Sequence, residues 1–221
     1  MNQPRTWFTS DLHLGHPFVA ELRGYGTSGE IDADVERHDA TILNNLTSAL
    51  APGDTLWVLG DISSGWGPQE ERALDLLAQA ISGLDVTVHL ISGNHDSCHP
   101  LHANSADRQR RFLEVFDSVQ PYQCVVPWDP DGDGVADNED LAKKADTEVA
   151  WLCHFPRPGQ DHEGMESRYD SLRLDVPYVI HGHLHSAAPI TGPGQVDVGV
   201  DAWGLRPAPY EEVMDLLYRD A

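Results

Sequence analysis

Five short segments of this chain concentrate side chains that bind metal ions through oxygen or imidazole nitrogen: Asp11-Leu12-His13, Gly60-Asp61, Gly93-Asn94-His95-Asp96, His154, and Gly182-His183-Leu184-His185. Donors of these types, without thiolate, suit manganese, iron, zinc or nickel. Ions held this way polarise substrate oxygens and activate water. Side chains two apart on an extended strand face the same side, so Asp11 with His13, and His183 with His185, can each address one ion cluster.

Elements must carry these segments to one place. Short apolar runs predict strands near Thr6–Ser10, Thr55–Leu59, Val86–Ile91, Gln123–Val126, Val149–Cys153, Tyr178–Ile180 and Val196–Val200. Val35, Ile42, Leu43, Leu46 and Leu50 recur at helical spacing, with Asp32 as the expected N-cap and Pro52-Gly53-Asp54 as the stop. Further helices are expected around Leu74, Leu77 and Ile81, around Phe112, Val115 and Phe116, and around Val213, Leu216 and Leu217. Strands alternating with helices predict an α/β domain. Each ligand-rich segment then falls at a strand end, where the loops of an open α/β sheet converge.

At 221 residues, the chain is read as a single domain, 1–221. Hydrophobic residues make up 40% and charged residues 23%, the balance of a globular soluble protein. The N-terminus has no basic segment leading into an apolar one, so it reads as a first strand and the cytoplasm as the expected location. Cys98, Cys124 and Cys153 are odd in number and widely spaced, which argues against disulfides and thiolate zinc. A formal charge of −22 disfavours an extended nucleic-acid surface, though a small nucleotide remains compatible. Within residues 127–141, Asp129, Asp131, Asp133, Asp137 and Asp140 occupy positions 1, 3, 5, 9 and 12 of a calcium-loop pattern with Gly134 at position 6. An acidic solvated turn is the alternative.

The five segments, in this order, resemble the calcineurin-like metallophosphoesterase superfamily, whose signature runs DxH, GD, GNH(D/E), H, GHxH; the surrounding text looks most like a branch of small bacterial and phage phosphoesterases. The resemblance implies two packed mixed β-sheets flanked by helices, in four layers. It implies that Asp11, His13 and His185 hold one divalent ion, that Asn94, His154 and His183 hold another, and that Asp61 bridges them, with manganese the leading expectation. The implied reaction is in-line attack on a phosphate mono- or diester by a hydroxide bridging the ions, with His95 near the leaving group. The protein-phosphatase branch reads GDxxDRG where this chain reads GDISSGW, so Asp96 is expected to orient His95 instead. Another cation must then meet the substrate, and Arg157 and Arg108 are the candidates, with Arg110 and Arg111 nearby. Trp66 is a weaker candidate for flanking a substrate ring. His16 is expected behind the ligands, His89 within a strand, and His181 outside the ligand set. A small-molecule ester or nucleotide is the expected substrate. The competing reading is a catalytically silent, calcium-stabilised binding or scaffold protein on the same fold.

Overall fold

The computed structural model describes residues 5–65, 67–125 and 149–219. The 127–141 segment and Trp66, with the calcium and ring-stacking readings attached to them, lie outside these residues. Strands β1 (Thr6–Thr9), β2 (Thr55–Val58), β3 (Thr87–Ile91) and β4 (Ser118–Gln120) pair in parallel in that order, and β10 (Ala208–Pro209) closes the free edge of β1 antiparallel. The second sheet runs β5 (Tyr122–Val125), β6 (Ala150–Cys153), β7 (Val179–His181), β9 (Gln195–Asp197), β8 (Ile190–Gly192), with a parallel centre and antiparallel edges. The expected fold is therefore present: two mixed sheets with flanking helices.

Strand periodicity builds the layers. In β2 and the residue after it, Leu56 and Val58 point into one core while Trp57 and Leu59 point into another. The first core packs the outer face of sheet one against helices α2 (Ile31–Ala49), α3 (Gly67–Ile81) and α4 (Ser105–Phe112), through Ile42, Leu46, Leu74, Leu77 and Phe112. The second lies on the inner face, where Phe8, Trp57 and Ile91 meet Leu152, Ile180 and Val196, and α5 (Tyr210–Leu217) adds Val213 and Leu217. Each fully buried Leu, Val or Phe contributes about 1.5–3 kcal/mol, so the two cores hold the strand ends in fixed relation.

Boundaries shift where side chains override composition. Asp32 lies inside α2, whose N-cap is Glu30, so its charge favours the helix start without capping it. The expected stop holds: Gly53 has φ +90°, and Asp54 accepts from the backbone of Arg5 and Ala51 and the Trp7 indole. Strands β4, β8 and β10 and the six-residue helix α1 (Pro17–Leu22) carry no legible pattern at two to six residues each. Among the described residues no helix is long and apolar enough to cross a membrane.

Candidate metal centre

The candidate ligands sit where β1, β2, β3, β6 and β7 end. Main-chain bonds clamp the loops together: Asp11 N–H donates to Gly60 O at 3.0 Å, His13 N–H to Asp61 O at 3.1 Å, and Gly182 N–H to His154 O at 3.0 Å. Ser10 and Gly199 form a parallel bridge below them. Five of the non-glycine residues with left-handed backbone are Asp11, His13, Asp61, His183 and His185, at φ between 47° and 72°. Such conformations cost energy and turn side chains sharply off the strand axis toward one point. A Cβ at Gly60 would stand 2.5 Å from Gly93 N and 2.8 Å from His154 Nδ1, so that loop closes over the ligands only with glycine.

Asp11, His13 and His185 form one group, Asp61, His154 and His183 a second, with the ligand atoms of each within 4.8 Å of one another. Asp61 lies between them: its Oδ2 is 3.4 Å from His154 Nε2 and 3.9 Å from His13 Nε2. Asn94 joins the second group, its Oδ1 3.2 Å from His154 Nε2.

The hydrogen bonds fix which ring nitrogens are free. His13 Nδ1 faces Ser63 O at 3.1 Å and His154 Nδ1 faces Leu59 O at 2.7 Å; a carbonyl only accepts, so both Nδ1 atoms carry the proton. His185 Nδ1 meets the Asp201 carboxylate at 2.8 Å. In the neutral rings the lone pairs are then on Nε2 of His13 and His185, which face each other at 3.1 Å. Two acceptors cannot bond each other; a metal ion between them resolves the conflict, as does a proton on His185, whose affinity for it the Asp201 hydrogen bond raises against burial. The donor set therefore fits divalent ions held by nitrogen and oxygen, and Cys98, Cys124 and Cys153 are free, buried thiols outside it.

Electrostatics agree. Burial raises the Asp11 carboxyl to about 6 and holds the His13 imidazole well below its usual range. Burial, with His154 adding, lowers His183 to about 2. Burial opposes ionisation of both Asp61 and His154, yet each charge stabilises the other: Asp61 falls below the ordinary carboxylate range and His154 rises to about 10. This is a desolvated pocket in which positive charge at the centre relieves the carboxylates.

His95 stands at the open edge. Its side chain is 44% exposed, its ring centroid is 5.6 Å from that of His13, and its Nδ1 meets Ser64 O at 2.9 Å, leaving Nε2 4.0 Å from Asp61 Oδ2. The Ser64 carbonyl therefore orients His95. Asp96, expected in that role, instead accepts from the main-chain N–H of Asp61, Ile62 and Gly93 at 3.0, 3.1 and 2.7 Å, stitching the GD loop to the GNHD loop.

The cation expectations change more. Arg108 binds Glu70 at 2.6 Å, Glu71 at 2.7 Å and Ser97 Oγ at 2.7 Å, so its guanidinium is committed between α3 and α4. Arg111 pairs with Glu71, Asp75 and Glu114, and Arg110 with Asp107. Arg157 donates to Pro193 O in the β8–β9 turn. Sequence patterns place an arginine near a loop but do not reveal which acid captures it. His181 bonds Thr191 Oγ1 at 2.7 Å and stays out of both groups, His89 lies within β3 against Trp57, and the His16 ring sits 5.7 Å from that of His13.

Sequence reasoning missed four polar residues. Arg23 grips Asp201 through two nitrogens at 2.8 and 2.7 Å and also donates to the Asp11 and Leu12 carbonyls, bracing His185 and its neighbours. Asp161 and His162 come from the 156–170 loop, the His162 ring centroid 4.9 Å from that of His183. Only the habit of ligating histidines to be backed by carboxylates signals Asp201. A cavity of about 350 Å³ opens beside His185 and His162, lined also by Phe18, Leu22 and Arg23.

Residues 4–187 match calcineurin-like phosphoesterase. The gene 66 protein of Mycobacterium phage L5 is 36% identical, the match covering 96% of this chain and 93% of that protein. The gene 66 protein of Mycobacterium phage D29 is 33% identical over 96% and 94%. A crystal structure of a protein of unknown function from Aquifex aeolicus shares the fold, with a TM-score of 0.61 at 21% identity over 97% of this chain and 100% of that one. With the matched segment taking in the whole convergence of strand ends from Asp11 to His185, the chain belongs to the calcineurin-like phosphoesterase family.

Proposed function

We propose that this protein hydrolyses phosphate mono- or diesters of small organic molecules or nucleotides, using two divalent ions, with manganese the first to test. The observation that carries the reading is the facing pair of Nε2 atoms on His13 and His185, with Asp61 reaching between them and His154. Asp11, His13 and His185 would hold one ion, Asn94, His154 and His183 the other, and Asp61 both. When bound, the ions supply Lewis-acid charge at the phosphoryl oxygens and lower the pKa of a water.

The chain's own part is positioning and proton transfer. The main-chain clamps and left-handed turns keep the ligands in place before substrate arrives, so little reorganisation is needed during reaction. His95, bonded through Nδ1 and open at Nε2, is placed to protonate a departing oxygen from Nε2 when the ring is an imidazolium. Phe18 and Leu22, exposed on α1 beside the cavity, offer an apolar wall for the organic part of the ester. Reconstitution with Mn²⁺, followed by a screen of nucleotides, cyclic nucleotides, dinucleoside polyphosphates and nitrophenyl mono- and diesters, tests the reading. Metal-dependent turnover of at least one class is expected, and two bound ions with no hydrolysis of any class would reject it.

A further inference from the structure

Apart from His162 at the cavity, the 156–170 loop has no part in the reading above, yet it delivers a carboxylate to the back of His183. The Asp161 side chain has no exposure to solvent, although the residues around it in the loop are mostly half-buried or exposed. Donors crowd onto it: the N–H groups of His162 and Arg168 at 2.9 Å, His162 Nδ1 at 2.8 Å, and the guanidiniums of Arg168 at 3.0 Å and Arg173 at 3.3 Å. The Arg173 side chain is itself wholly buried, over the Phe155 ring. Burying a carboxylate and a guanidinium under a surface loop is costly, and that cost is not needed merely to close a loop.

What Asp161 faces explains it. Its Oδ1 stands 3.4 Å from His183 Nε2, a buried nitrogen that has no aligned hydrogen-bond partner. A small tilt of the ring would complete that bond. His185, the other histidine of the GHxH segment, is backed by Asp201, which Arg23 holds, and His183 is backed by Asp161, which Arg173 and Arg168 hold. We propose that Asp161 is a positioning residue of the metal centre: it accepts Nε2–H of His183, which leaves the Nδ1 lone pair for an ion. This rests on the metal-dependent reading of the site. Asp161, His162 and His183 also approach closely enough to be considered as a separate ion site. Two guanidiniums already on the carboxylate oppose a further cation there, so a proton is the better bridge.

Two measurements test the inference. In the ion-free protein, long-range ¹H–¹⁵N spectra, with His183 assigned by its loss in His183→Asn, should show its ring protonated at Nε2; protonation at Nδ1 would overturn the proposal without touching the hydrolase reading. Calorimetric titration with Mn²⁺ should resolve two ions in the wild type, and Asp161→Asn should weaken one of them by ~10–100-fold while changing the other by less than about threefold. Equal weakening of both ions, or of neither, would overturn the proposal, as would a third wild-type ion lost in the variant. Should Asp161→Asn not fold, the wild-type tautomer decides. A wild type that binds no Mn²⁺ would reject the metal reading itself.

Discussion

The two halves of the candidate site are braced differently. Around Asp11, His13 and His185 the braces come mostly from the main chain and from one arginine: Ser63 O holds His13, and Arg23 spans Asp201 and the carbonyls of residues 11 and 12. Around Asn94, His154 and His183 side chains take a larger share: Leu59 O holds His154, but Asp161 stands behind His183, and Glu70 on α3 and Arg108 on α4 hold Ser97. Exposure differs too. His154 and His183 are nearly closed off at 1% and 3%, whereas His185 is 26% exposed and lines the cavity with Phe18 and Leu22. On the proposed reading, one half would retain an ion, and the other would retain an ion while remaining open to an organic ligand.

Asp61→Asn is the harshest test, because this carboxylate belongs to both halves. Activity should fall below detection and both Mn²⁺ affinities should drop; loss of one ion alone would assign Asp61 to a single half. His95→Asn should come next. A general acid contributes ~10²–10⁴-fold, and most where the departing oxygen is a poor leaving group. The variant should therefore keep both ions and lose far more turnover on nucleoside or alkyl esters than on nitrophenyl esters. Equal losses on both would make His95 an electrostatic or orienting residue.

The ligand-rich segments were legible because spacing and strand ends suffice to bring them together: β1, β2, β3, β6 and β7 lie within a residue or two of the runs that predicted them. The supports were not. Asp201 lies sixteen residues beyond His185 and Arg23 twelve residues beyond Asp11, joined only when both sheets pack. Arg108 was misplaced for the converse reason. It follows the GNHD loop closely in sequence, but Glu70 and Glu71, arriving from α3, capture it. Long-range ion pairs have no periodicity to read.

Asp201→Asn measures the open half against the closed one. Removing a carboxylate behind a ligating histidine typically costs 10–100-fold in ion affinity, roughly what is expected of Asp161→Asn. The two variants should weaken different ions, so the doubly substituted protein should lose affinity at both. If they weaken the same ion, the division into halves is wrong.

Arg108→Ala carries the smallest expected effect on chemistry and separates support from substrate binding. Arg108 is 24% exposed and its partner Glu70 only 2%, and Glu70 keeps two donors after truncation, the N–H and hydroxyl of Ser97. The loss should therefore be about 1–3 kcal/mol of stability, the range for leaving a buried group short of a partner. For a domain of this size that lowers Tm by several degrees, since 1 kcal/mol shifts it by roughly 2–4 °C. With Mn²⁺ saturating, KM and kcat should stay within about twofold of wild type, because the guanidinium is held by Glu70, Glu71 and Ser97. A KM that rises tenfold with Tm unchanged would mean that Arg108 leaves those acids to meet the phosphate. The closed half would then have an opening of its own.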